Sequence, residues 1–153
     1  MPPSATPHKK IESLGQLTLP PYSTEAEAAL LGGMMLDPEG QAYDKIADVV
    51  SIQDFYHPEN KRIFEAIQKL TEAGKVTDLL TVSDWLDNSG NFDVKPAIQY
   101  ISELVDNTAG TVNIREYGEI IREKALLREL ITISNNIAQS AYKPEGKSPS
   151  QLV

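Results

Sequence analysis

Apolar positions along this chain recur at helical spacing, and no segment alternates convincingly at period two, so the expected fold class is all-α. The first periodic run predicts a helix over 24–36, with Ala26, Leu30, Gly33 and Met34 facing inward and Leu31 beside them. Ala42, Tyr43, Ile46, Ala47 and Val50 predict a short helix over 42–49. Residues 53–56 read as a turn or a single helical turn that anchors Phe55 and Tyr56. Ile63, Phe64, Ile67 and Leu70 share one face of a helix over 59–73, and a shorter helix is expected over 82–88. A fifth, over 95–106, turns Ile98, Ile101, Leu104 and Val105 inward.

Start and stop signals frame these runs. Thr24 with Glu27, and Thr81 with Asp84, have the spacing of capping boxes, with Ser23 a competing cap for the first helix. Pro58 suits a first helical position, and Gly74 and Gly90 suit helix ends. Asp37-Pro38-Glu39-Gly40 reads as a turn, 77–80 as a loop, and 107–112 as the connection into the last helix. Gly32-Gly33 inside a helix costs about 1 kcal/mol per glycine relative to alanine, which close approach of another helix would explain.

The segment 113–142 organises the rest. Asn113 and Glu116 form an N-x-x-E start signal, and nothing interrupts the run until Lys143-Pro144-Glu145-Gly146. The result is a helix of roughly 30 residues, about 45 Å long. Its apolar pattern changes side part-way. Ile114, Tyr117, Ile121 and Ala125 lie on one stripe, backed by Arg115, Glu119, Arg122 and Glu123. Leu126, Leu127, Leu130, Ile131, Ile133, Ile137 and Ala141 centre about 140–180° away, backed by Arg128 and Glu129. A helix on a single core keeps one face. This one is expected to pack on one body with its first half and on another with its second, although a helix buried on alternating sides of one core would show the same shift.

Ser148-Pro149-Ser150-Gln151 then has the form of another helix start, with Pro at the first helical position. A start without a body suggests a helical hairpin, truncated before its second helix, with 143–147 as its loop. The expected organisation is a disordered arm or appended sequence over 1–18, a helical globule over 19–112, and the long helix with the start of a hairpin over 113–153.

Composition changes the picture at two points. The chain of 153 residues has a net charge of −8 and no run of bases longer than Lys9-Lys10, so strong nucleic-acid binding by this chain alone is not expected. It has no cysteine, which excludes a disulfide scaffold, and no apolar run approaches the ~18 residues of a membrane span. No secretory leader is legible in the first residues.

Candidate chemistry is sparse. Gly146-Lys147-Ser148 matches the end of a phosphate-binding loop, but Ala141 stands where its first glycine should be and no strand precedes it. His8 and His57 are the only histidines and are far apart, so no metal site can be built around them. Acid pairs such as Asp54/Glu59 and Glu119/Glu123 have the spacing of solvated helix charges, and Trp85 reads as a core anchor. No catalytic, cofactor-binding or metal-binding residue is assigned. An interaction module remains.

Leu19-Pro20-Pro21-x-Ser23-x-Glu25-Ala26-Glu27, followed by Leu31-Gly32-Gly33-Met34-Met35, resembles the opening of the N-terminal domain of the bacterial replicative DNA helicase of the DnaB type. Asp54-Phe55-Tyr56, Ile63-Phe64, Asp78-Leu79-Leu80-Thr81-Val82, Asn107-Thr108, Asn113-Ile114-x-x-Tyr117 and Ile121-x-x-Lys124-Ala125 follow in the family's order. Val94-Lys95-Pro96 departs from it, since many relatives carry a Gly–Gly pair there.

The resemblance implies a helical globule with a protruding hairpin. Hairpins would pair between subunits, so that six domains form a trimer-of-dimers collar on a hexameric ring, where primase docks and the helicase loader acts. It further implies a bacterial, cytoplasmic protein, with ATP and Mg bound by a C-terminal domain absent here. On this reading Leu126 to Ala141 is the hairpin and subunit face, and Ile114 to Ala125 the globule-docking face. The alternatives are a free-standing all-α regulatory or DNA-binding protein, which a basic face would have favoured, and a small helical enzyme, which would need a convergent polar cluster.

Overall fold

The computed structural model describes residues 19–143, apart from 38, 40, 91, 94–95 and 109–112. The expected arm over 1–18, the start of the fifth helix at Lys95, part of the 107–112 connection and the hairpin loop and cap beyond Lys143 lie outside the described residues. Among the described residues every regular element is helical: α1 (Thr24–Met35), α2 (Gln41–Ile46), a 3-10 turn (Ile52–Asp54), α3 (Pro58–Glu72), α4 (Leu79–Ser89), α5 (Ala97–Asp106) and α6 (Ile114–Tyr142).

Helix α1 is the centre of the globule. Its Leu30, Leu31, Gly32, Gly33, Met34 and Met35 are all buried, because α2, α3, α5 and α6 pack around it. The glycine expectation holds at Gly32. A Cβ placed there would stand 1.8 Å from Thr108 Oγ1 and 2.9 Å from the Leu104 carbonyl, so the end of α5 lies directly on the α1 backbone. Ile63, Phe64, Ile67, Val82, Leu86 and Ile101 complete the interior. In α5, Ala97 and Ile101 are buried, while Ile98, Leu104 and Val105 are only half-buried. Trp85 sits at the margin of the core, with the Arg62 guanidinium 5.5 Å from its ring.

Several caps differ from expectation. Ser23, not Thr24, caps α1, accepting from the Ala26 backbone N–H at 3.1 Å. Thr24 is already the first helical residue, and its hydroxyl bonds His57 Nε2 at 2.8 Å. Helix α4 starts three residues before the expected position. Asp78 is its cap and Thr81 its third residue, each side chain bonding the other's backbone N–H at 2.9 Å. Helix α2 ends at Ile46, where its last bonds tighten into a turn, Val49 N–H to the Ile46 carbonyl. Asn113 precedes α6 but makes no side-chain capping bond. Its ψ of 27° is not the extended conformation from which a cap reaches the first turn. The end of α3 is as expected: Gly74, at φ 71°, closes it with Lys75 N–H to the Leu70 carbonyl and its own N–H to Thr71.

Glu27, expected in a capping box, is instead a buried staple. It accepts from Tyr56 N–H at 2.7 Å, His57 N–H at 3.3 Å and Asn60 Nδ2 at 2.8 Å, joining α1 to the start of α3. The positive end of the α3 dipole favours a carboxylate there. Asn60 Oδ1 in turn accepts from the Tyr100 hydroxyl at 2.9 Å. Burial, helped by Glu59, Glu27 and Glu103, pushes the Tyr100 phenol up to about 12.

Candidate interaction surface on the long helix

Helix α6 is 29 residues long and is docked over its first half only. Ile114 and Ile121 are each 2% exposed, Gly118 is buried, and Tyr117 and Ala125 are half-buried. Gly118 allows this close seat: a Cβ there would come within 3.2 Å of Val50 and 3.5 Å of Val49. Arg115 fastens the start of the helix to the end of α2, donating to both carboxylate oxygens of Asp48 and, at 2.8 Å, to the Lys45 carbonyl. These hydrogen bonds hold the Asp48 carboxyl below its ordinary carboxylate value.

Two further arginines grip the globule near the middle of the helix. Arg122 Nη1 donates to Asp54 Oδ1 at 2.8 Å, and the other oxygen of that buried carboxylate accepts from Ser51 N–H at 2.9 Å. Arg128 donates to the backbone carbonyls of Asp54 at 2.7 Å and Pro21 at 2.8 Å. Its guanidinium lies 5.5 Å from the Tyr56 ring, which stacks on Tyr22 at 4.2 Å and 6°. Sequence reasoning left these contacts out, because every partner is more than 60 residues away along the chain.

Every residue from Glu129 to Gln139 is exposed. Leu126 (47%), Leu127 (40%), Leu130 (60%), Ile131 (46%), Ile133 (47%) and Ile137 (56%) stand open to solvent, and Ala141 is exposed as well. Ile120, which sequence reasoning did not single out, is also exposed. A helix threading one core would have buried both stripes, and this one buries the first alone. A row of large apolar side chains exposed on one helix is a candidate interaction surface. Among the described residues no group of three or more His, Cys, Asp or Glu side chains could hold a metal ion, and no helix is long and apolar enough to cross a membrane.

The family model of the DnaB-like helicase N terminal domain matches residues 19–123. The chain belongs to that family. The globule and the start of α6 through Glu123 fall within the match, and the exposed apolar row from Leu126 lies beyond it. The replicative DNA helicase DnaB of Haemophilus influenzae is 42% identical over 132 residues, covering 86% of this chain and 28% of that relative. The corresponding helicase of Geobacillus stearothermophilus is 35% identical over 127 residues, covering 83% and 28%. The chain thus spans less than a third of the length of these relatives.

Among solved structures, the N-terminal domain of DnaB helicase from Mycobacterium tuberculosis matches with a TM-score of 0.78 and 28% identity, covering 88% of this chain and 92% of that one. The N-terminal domain of DnaB helicase from Helicobacter pylori, described together with its interactions with primase, shares the fold at a TM-score of 0.63 and 21% identity, covering 90% and 98%. The all-α class inferred from periodicity is thus that of the DnaB N-terminal domain. The alternative of a free-standing regulatory or DNA-binding protein gains no support.

Proposed function

We propose that this domain is a non-catalytic assembly and docking module of a hexameric replicative helicase, acting in DNA replication. Residues 19–112 form its globule, and 113–153 the long helix and the start of a hairpin. The row Leu126, Leu127, Leu130, Ile131, Ile133, Ile137 and Ala141 pairs with the same row of a second copy, giving dimers that combine three to a ring. The collar so formed presents the hairpins to primase and to the helicase loader in the bacterial cytoplasm. ATP and Mg belong to a C-terminal motor domain outside this chain, so the domain contributes geometry and recruitment rather than catalysis. Primase docking is supported by the interactions described for the Helicobacter pylori relative.

The observation that carries this reading is the split of α6, its first stripe buried and its second 40–60% exposed. The test is sedimentation equilibrium of the chain and of Leu130→Asp. Leu130 is 60% exposed, so the variant should keep its fold. Each copy loses a buried leucine worth about 2 kcal/mol, and the introduced charge adds to that, so association should weaken about thirtyfold or more. Identical association of the two proteins would refute pairing through this row.

A further inference from the structure

The apolar seam that seats α6 runs through Ile114, Gly118, Ile121 and Ala125, and then stops. At ~100° per residue Arg128 continues the same line one turn further, and Arg122 stands to one side of it. Beneath this point the globule falls away, leaving a groove of about 510 Å³ bordered by Ser51, Asp54, Tyr56, Lys61, Ala125 and Thr132. Apolar packing therefore cannot define how far the helix tilts here. Among the described residues, the hydrogen bonds that span the groove come from the two arginines, and both converge on Asp54. Arg122 takes its carboxylate at 2.8 Å and Arg128 its carbonyl at 2.7 Å. The hub itself is held fast: Asp54 is 4% exposed, and its second carboxylate oxygen is bonded to Ser51 N–H. Arg128 also ties in the Pro21 carbonyl, and the Tyr22–Tyr56 stack beneath its guanidinium makes a firm floor.

We propose that Arg122 and Arg128 are positioning residues that fix the direction in which the distal half of α6 leaves the globule. Through that direction they set the angle between globules whose helices are paired. The second clause rests on the pairing reading above, whereas the first concerns a single chain and is tested there. One guanidinium on a side chain and another on a backbone carbonyl, displaced around the helix, oppose both roll and tilt. Either alone would leave a pivot.

The chain has no cysteine, so Glu72→Cys on α3 and Gln139→Cys near the tip of α6, both exposed positions, accept spin labels cleanly. Labelled protein carrying Leu130→Asp, diluted with unlabelled protein, reports the distance within one chain by pulsed dipolar spectroscopy, whether or not copies pair. With the clamp intact a single narrow distribution is expected. Arg122→Ala with Arg128→Ala should shift its centre or at least double its width, while far-ultraviolet dichroism and unfolding cooperativity stay as they were. Arg128→Lys keeps the charge but not the fork that bridges two carbonyls, and should give an intermediate width. An unchanged distribution in the double variant would overturn the proposal, as would lower thermal stability with no change in distance. Should the double variant fail to fold, an unchanged distribution in Arg128→Lys would overturn it equally.

Discussion

Replacing Gly32 by alanine tests the tightest contact in the globule. The added methyl would lie 1.8 Å from Thr108 Oγ1, 2.8 Å from Thr108 Cβ and 2.9 Å from the Leu104 carbonyl oxygen. Rotating one side chain cannot clear all three, because the last atom is backbone, so the end of α5 must move off α1. Forcing a methyl into a packed site costs about 1–3 kcal/mol. Thr108 Oγ1 also bonds the Leu104 carbonyl at 2.6 Å, and breaking that bond costs about another 1 kcal/mol. Against this, alanine in place of a helical glycine gains about 1 kcal/mol. The net expectation is a loss of about 1–3 kcal/mol, read as a lower urea midpoint at unchanged slope. Thr108→Gly removes two of the three clashing atoms. In its presence Gly32→Ala should cost markedly less, so the double-mutant cycle carries a coupling of about 1 kcal/mol or more. A Gly32→Ala protein as stable as the parent, or additivity in the cycle, would refute the account of α1–α5 packing.

Glu27→Ala should destabilise the globule by about 3 kcal/mol or more, because three donors at the start of α3 lose one buried acceptor; equilibrium urea unfolding measures it. Tyr100 should ionise near pH 12, above an exposed tyrosine, in an ultraviolet absorbance titration. Since its folded value is raised, the contribution is whole below about pH 10, the unfolded value, and is lost as pH climbs from there through the folded value; Tyr100→Phe should flatten stability over that window. Arg115→Ala should let the Asp48 carboxyl rise toward its ordinary value in an NMR titration, with little change in stability because the pair is exposed.

The helices themselves were legible because their signals are local. Pro58 opening α3 and Gly74 closing it each need only a neighbouring turn, and both stand where the pattern placed them. Caps were legible only where one candidate existed. Asp78, Thr81 and Asp84 are each three residues apart, and the choice between Asp78 and Thr81 as cap depended on the preceding backbone being extended, which Asp78 is, at φ −97° and ψ −177°. Glu27 was assigned to a local box, although its partners Tyr56, His57 and Asn60 lie about 30 residues away, beyond the reach of any short motif. The shift of stripe along α6 was plain in the order of apolar residues. The arginine contacts at the shift were not, since a charged residue behind an apolar stripe looks the same whether it meets water or a distant backbone carbonyl. Arg128, written off as backing for the second stripe, faces the globule for that very reason.

Seen mechanically, the free half of α6 is a lever arm whose fulcrum is Asp54. From Glu129 to Tyr142 it reaches about 20 Å at ~1.5 Å per residue. A tilt of about 10° at the fulcrum therefore carries the tip through about 3–4 Å, close to the width of a side chain. Loss of the two guanidinium contacts to Asp54 would thereby be magnified into a sideways displacement at the far end.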